Sequence, residues 1–570
     1  MERLKTDLLI IGMGGAAQLA ALNVRDANPE LEILIVTKAL RGKGGCSRMV
    51  QGGFNVVLND QDSHEKHLAD TLKGGQFINN QELARTLVEE ATPTIKEMET
   101  LYGCFFDRNP DGTIHQKPFA GQSFDRTVHK GDLTGIEIIS RTTEQIMKRN
   151  IPVLEEHRAL DLLMTPSRER VTGALLLDMR RGSFVVVESS ATMVATGGGP
   201  THYRFCAPGP EKSLDGLGML YRAGTRMIDM EMVQFHPTGL IVPGSVVAGS
   251  LLEEGLRGAG AYLFNALEER YMIRYDPEKK ERATRDVVSR SSYLEMMAGK
   301  GFEHGGVHLV ASHLGAHFVE KNFPGMCQRC SIFGYDLARK PVPVSPTAHY
   351  MMGGAMIDRR CFTSLEGLFC AGEDSGGVHG ANRLGGNGIA DSCVFGRLAG
   401  KAMAEYLGNG KTMPETDSAQ IKQLIARYRK PFDRTKGPTH YEVRDRLREL
   451  NWSKVGIIRS ASGLSAALEE LESLCEETET VRLEEPTAYN MAWNEWINLL
   501  NMLDVSRMVA QSAVHREETR GAHAREDFPA RDDENGLYNI LLVKGENGRP
   551  SIHKQPSNLN YMKPEDLLPT

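Results

Sequence analysis

The segment Gly12-Met13-Gly14-Gly15-Ala16-Ala17 follows the apolar run Leu8–Ile11 and fits the spacing Gly-x-Gly-x-x-(Gly/Ala) through Gly12, Gly14 and Ala17. Glycine there permits a tight turn and close backbone approach, so that the N-terminus of a following helix can hold a pyrophosphate. The next apolar run ends in Val36-Thr37-Lys38, with no carboxylate to take a ribose hydroxyl. That departs from the usual NAD pattern and favours FAD. Three more Gly-rich stretches occur at Gly42–Gly53, Ala195–Gly199 and Gly372–Gly388. With 58 Gly against 25 Pro, clustered in a few places, the composition points to backbone approaching a ligand closely.

The elements that position these glycines can be read around them. Leu8–Ile11, the Gly turn, a helical stretch to about Val24 and the run Ile33–Val36 make a strand, helix, strand unit. A stretch from about Gly224 to Pro346 separates the third and fourth Gly-rich regions, which predicts one nucleotide-binding domain interrupted by an insertion. Beyond Gly410, Leu464, Ala467, Leu468, Leu471 and Leu474 recur at helical spacing behind a capping Ser462, and Trp496, Leu499, Leu500 and Leu503 repeat the pattern. The expected architecture is α/β: a Rossmann-like FAD-binding domain (1–225 and 345–410), an inserted α+β capping domain (226–344), a helical domain (411–515) and a small, mostly exposed C-terminal appendage (516–570), where His515–Pro529 is dense in charge.

Composition excludes several classes. A net charge of −7, without a long Lys/Arg run, argues against nucleic acid as a partner. Apolar runs fall far short of the roughly 20 residues that span a bilayer, and the N-terminus has no signal-peptide pattern. A cytoplasmic location is expected. Nine Cys at irregular spacing suit a reducing compartment. Cys327 and Cys330 have no second pair to complete a zinc site, so no metal is expected.

Five stretches then occur in order: Glu231–Gly239 (Glu-Met-Val-Gln-Phe-His-Pro-Thr-Gly), Glu254–Gly258, Arg285–Arg290, Pro346–Gly354 and His379–Asn387. Together they resemble the flavoprotein subunits of succinate dehydrogenase and fumarate reductase, a family that also includes L-aspartate oxidase, over nearly the whole chain. The residues suit that chemistry. Arg383 can grip a carboxylate bidentately, while His236 and His349 donate hydrogen bonds. Desaturation of a small dicarboxylate needs hydride transfer to flavin N5 and removal of a proton from the adjacent carbon. The resemblance implies that Arg285 exchanges that proton and that Glu254 and Arg257 relay it to solvent, an unusual role for a side chain whose pKa exceeds about 12. The FAD contacts expected are Gly12, Gly14, Gly15, Ala17, Thr37 and Lys38; Cys46, Ser47, Gln51, Gly52 and Gly53; Thr196, Gly197 and Gly198; and Asp215, Glu373 and Asn387.

Two departures from the family pattern stand out. Respiratory members attach FAD through a His five residues before Gln-Gly-Gly, a position held here by Cys46, which leaves noncovalent FAD or a thioether. Glu253 stands where the family usually has Thr or Ser, and an ionised Glu facing the pocket would repel a substrate carboxylate and better suit a hydrogen-bond donor or a cation, the alternative being that Glu253 turns away from the pocket. Lys117–Ser123 resembles the succinate dehydrogenase segment and lacks the Glu that aspartate oxidases use near there for the substrate amine, a role open to Glu253 instead. Arg520–Pro529 resembles the dehydrogenase C-terminal signature, on the side that docks an iron–sulfur protein. With too few suitably spaced Cys to carry clusters, the chain must pass electrons to a partner protein, a quinone, a soluble carrier or oxygen. Such a partner could also bring it to a membrane. The alternatives are an oxidase resembling L-aspartate oxidase and a flavin electron-transfer subunit without a substrate of its own.

Overall fold

The computed structural model describes every residue except 210, 246, 409, 411, 412, 546–549 and 568–570, so the expected start of the helical domain at 411 lies outside the described residues. Leu8–Ile11 end the strand Glu2–Ile11, which pairs in parallel with Ile33–Val36 on one side and Ser183–Val194 on the other. Both faces of this strand's end are covered, which is why it reads as a continuous apolar run instead of alternating. The sheet runs 153–154, 33–36, 2–11, 183–194, 171–178, 157–164, and Leu368–Cys370 joins Ser183–Val194 in parallel. The helix Gly15–Ala27 springs from the Gly turn and lies on the helix Asn387–Gly408. Their backbones come so near that a Cβ on Gly396 would sit 2.4 Å from the Ala16 carbonyl oxygen, and one on Gly400 2.6 Å from that of Ala20.

The insertion builds its own four-stranded antiparallel sheet from Val233–Leu240, Val342–Met351, Val307–Val310 and Tyr262–Phe264. A separate apolar core that includes Leu240, Leu263, Leu309 and Val344 lies beneath it. Four helices follow: Ser418–Arg429, His440–Lys454, Ala461–Thr478 and Met491–His515. The expected stripes are buried, with Leu468 only partly so. The cap of Ala461–Thr478 is Ser460, not Ser462: Ser460 has the extended backbone an N-cap needs, and its Oγ accepts the Gly463 N–H at 3.2 Å.

The C-terminal segment departs most from expectation. Arg516, Arg520, His523 and Arg525 are 0–3% exposed. Arg516 donates to Glu231 at 2.7 Å and Glu518 at 3.0 Å, and Arg520 donates to Glu518 at 2.7 Å. Strand Tyr538–Lys544 pairs with Met227–Ile228 on one side and Pro550–Pro556 on the other, tying the segment into a five-stranded sheet. A charge-dense stretch is buried here because each cation meets a carboxylate or carbonyl.

Candidate active site

One continuous cavity is walled at one end by the first Gly turn and at the other by side chains of the insertion. Gly12, Gly14 and Gly15 line it, and Gly12 has φ +117°, with a hypothetical Cβ only 2.1 Å from the Ala195 carbonyl oxygen. The helix behind has no acidic residue in its first turn, so the positive end of its dipole is left for a phosphate. Thr37, Lys38, Cys46, Ser47, Gln51, Gly52, Gly53, Thr196, Gly197, Gly198, Asp215 and Glu373 also line the wall. The third Gly-rich loop is fixed by Asp374, which accepts the backbone N–H groups of Thr196, Gly197 and Gly198.

Two of the expected FAD contacts lie off the wall, and others on it already have partners within the protein. Ala17 is fully buried and off the cavity wall. Asn387 is off the wall as well, its Oδ1 accepting from Asn55 at 2.7 Å and facing His67 Nε2 at 3.1 Å. Asp215 borders the cavity, but its oxygens accept from Lys38 (2.6 Å), Arg158 (2.5 Å) and Asn501 (2.7 Å), so it anchors Lys38. Glu373 takes the N–H groups of Gly199 and Met351, both at 3.1 Å, and burial pushes its carboxyl up to about 7. Cys46 is a half-buried free thiol, raised by burial to about 11.

At the other end, His236, Glu253, Glu254, Arg285, His349 and Arg383 share the wall with Phe119, Leu251 and Tyr350. Strand pairing brings the two His together. Gln234 opposes Tyr350 while Phe235 opposes Ala348, which leaves His349 as the extra residue of a β-bulge, its ring 5.6 Å from that of His236. Thr238 N–H donates to His236 Nδ1 at 3.3 Å, so the ring carries its proton on Nε2. Arg383 Nη2 lies 3.0 Å from His349 Nε2, and a guanidinium can only donate, so His349 keeps its proton on Nδ1. Burial, then nearby guanidiniums, hold both imidazoles well below their ordinary range. They are neutral donors.

The Arg residues are organised by Gln234, a member of the Glu231–Gly239 motif to which the sequence assigned no role. Gln234 Oε1 accepts from Arg285 Nη1 at 3.0 Å and Arg383 Nη2 at 3.1 Å, while Gln234 Nε2 donates to Asn382 Oδ1 at 2.8 Å. Asn382 in turn donates to Asp286 at 2.8 Å. Two guanidiniums are thereby held side by side, and burial followed by the Arg285 charge lowers Arg383 to about 10. Arg285 opens the helix Arg285–Glu295, an unfavourable end for a cation, but donates twice to Glu254 Oε2, at 2.8 and 2.5 Å. Burial alone would raise the Glu254 carboxyl, yet Arg285 and Arg257 outweigh it and hold it low. Arg257 lies 3.6 Å from Glu254, is 1% exposed and donates to the Glu281 carbonyl, so it stands behind Glu254 and off the cavity wall. Glu253 is 5% exposed on the wall and pairs with Lys117 Nζ at 3.2 Å, a partner 136 positions away in the chain.

Comparison with known proteins agrees with this geometry. An FAD binding domain family matches residues 7–389, and a fumarate reductase flavoprotein C-terminal family matches residues 444–567. The chain belongs to the succinate dehydrogenase and fumarate reductase flavoprotein family. It is an FAD-dependent oxidoreductase. Family relatives include one of the subunits of the fumarate reductase (CoM/CoB) of Methanothermobacter marburgensis, 40% identical over 93% of this chain and 95% of the relative. Among solved structures, a mutant of Escherichia coli quinol fumarate reductase FrdA superposes with a TM-score of 0.92 at 32% identity, covering 99% of this chain and 98% of that one. Mycobacterium smegmatis Sdh1 gives 0.88 at 34% identity, covering 100% and 96%. The Gly-lined wall, the acid-free helix start and Lys38 suit the flavin dinucleotide this family binds. Among the described residues, no helix is long and apolar enough to cross a membrane.

Proposed function

We propose that this protein interconverts the saturated and unsaturated forms of a small carboxylate related to succinate and fumarate. One observation carries the reading: Arg285 and Arg383 stand together on Gln234, beside two neutral His donors, in a cavity continuous with the Gly-lined FAD wall. Electron transfer alone would need no such clamp. FAD, when bound, supplies the hydride-transfer chemistry at the carbon–carbon bond.

The chain's own residues supply the rest. Arg383 holds a substrate carboxylate through charge-assisted bonds, and His236 Nε2–H adds a donor without adding charge. Arg285 carries the proton exchanged at the adjacent carbon. Its two bonds to Glu254 give that proton a buried acceptor, and the low-lying carboxyl of Glu254 keeps the pair charged at rest. Side chains this buried make each of these charge contacts stronger than it would be in water. Electrons then pass to an iron–sulfur protein, consistent with the relatives' being named as subunits. FAD is held without a covalent link, since Cys46 stands where the family's linking His would be, and burial, which raises its thiol, disfavours the thiolate a thioether would need.

Anaerobic mixing of the holoenzyme with a panel of saturated carboxylic acids tests the reading by loss of flavin absorbance. Bleaching by a small carboxylate supports it; no bleaching, together with no reoxidation of chemically reduced enzyme by any unsaturated acid, defeats it. Acid precipitation should leave the flavin in the supernatant, whereas flavin retained in the pellet of wild type and lost from that of Cys46→Ser would establish the thioether.

A further inference from the structure

Glu253 places a carboxylate on the wall of a cavity that also presents the guanidiniums of Arg285 and Arg383. Its side chain is 5% exposed, and its Oε1 is 3.2 Å from Lys117 Nζ. Among the described residues only Oε1 is hydrogen-bonded, and Oε2 has no such partner. The backbone fixes its place, because Glu253 stands at the position before the short helix that Glu254 begins, its side chain making no cap bond, and its N–H meets Met326 Sδ at 3.4 Å. Lys117 is not itself on the cavity wall. It therefore neutralises Glu253 from behind and leaves one carboxylate oxygen toward the occupant. A second carboxylate brought here would face that oxygen, and an ammonium would gain little from a charge already paired while meeting Lys117. A neutral N–H or O–H donor avoids both penalties and fills the open acceptor.

We infer that Glu253, braced by Lys117, sets the specificity of this wall, selecting an acid that presents a neutral hydrogen-bond donor, an amide or hydroxyl, in place of a second carboxylate. This rests on the carboxylate-binding reading of the same cavity. The probes are fumarate, its monoamide fumaramate, and γ-aminocrotonate, in which an ammonium replaces the amide. Dissociation constants from flavin spectral shifts of the oxidised holoenzyme, at one ionic strength, should place fumaramate at least about tenfold tighter than either other probe. Glu253→Thr and the isosteric Glu253→Gln should each tighten fumarate about tenfold or more and erase the preference for the amide. Lys117→Met should weaken fumarate and tighten γ-aminocrotonate, because it bares the carboxylate. Fumarate or γ-aminocrotonate binding as tightly as fumaramate to wild type would overturn the inference, as would affinities unmoved by all three substitutions. If none of the probes perturbs the flavin of a fully loaded enzyme, the carboxylate reading itself fails, and this inference with it.

Discussion

At the scale of single residues, the site is a balance of charge that one substitution can upset. Arg285 has the most exacting task, standing next to a second guanidinium while bonded to Glu254 and Gln234. Arg285→Ala is expected to lower turnover by about 10² to 10⁴-fold, the usual contribution of a general acid–base group. Flavin content should stay normal, since Arg285 lies among the residues of the insertion and not in the Gly turns. Steady-state rates normalised to bound FAD check this, and near wild-type turnover would remove Arg285 from the mechanism. His236, Arg285, His349 and Arg383 were legible in the sequence because each sits inside a motif with fixed neighbours. Gln234 lay in the same motif, yet a glutamine gives no sign that its oxygen will be shared by two Arg residues distant in sequence. Lys117 was hidden for a like reason, being separated from Glu253 by 136 positions.

Elements bring these residues into register, and here the Gly turns carry most weight. Gly12 has a backbone conformation that L side chains rarely adopt, and the Ala195 carbonyl occupies the space a methyl would need. Gly12→Ala should therefore cost about 1–3 kcal/mol in backbone strain, with the steric clash added to it, and should part the strand Glu2–Ile11 from the Ala195 loop where the dinucleotide lies. The outcome to look for is protein that purifies largely without flavin, read from the ratio of visible to ultraviolet absorbance. Full flavin content would show that the turn tolerates the clash. Strand, turn and helix here were readable from the sequence because the apolar run, the glycines and the helical spacing are all local. The β-bulge that turns His349 toward His236 was not, since a bulge depends on how two strands more than 100 positions apart in sequence align.

On the scale of the whole molecule, the last stretch of chain reads as a tail and behaves as a keystone. His515–Pro529 looked exposed because its charge density is a local property, whereas its partners are not: Arg516 and Glu231 are 285 positions apart. Both are fully buried, Arg516 also bonds Glu518, and a few residues beyond Glu231 the same segment carries Gln234 and His236. Arg516→Met would leave Glu231 buried without its cation, while Glu518 keeps its bonds to Arg520, an imbalance that costs about 3–5 kcal/mol when one member of a buried pair is removed. Replacing Arg516 and Glu231 together by Met removes charge from both sides, so the double variant should recover part of that loss despite being the larger change. Thermal unfolding of FAD-loaded protein measures both, and the single variant should melt at least about 2 °C below wild type, with the double variant between them. A double variant that melts below the single one would mean that Glu231 is held by groups other than Arg516, and that the C-terminal segment is fastened by its sheet pairing with Met227–Ile228 instead of by its charges.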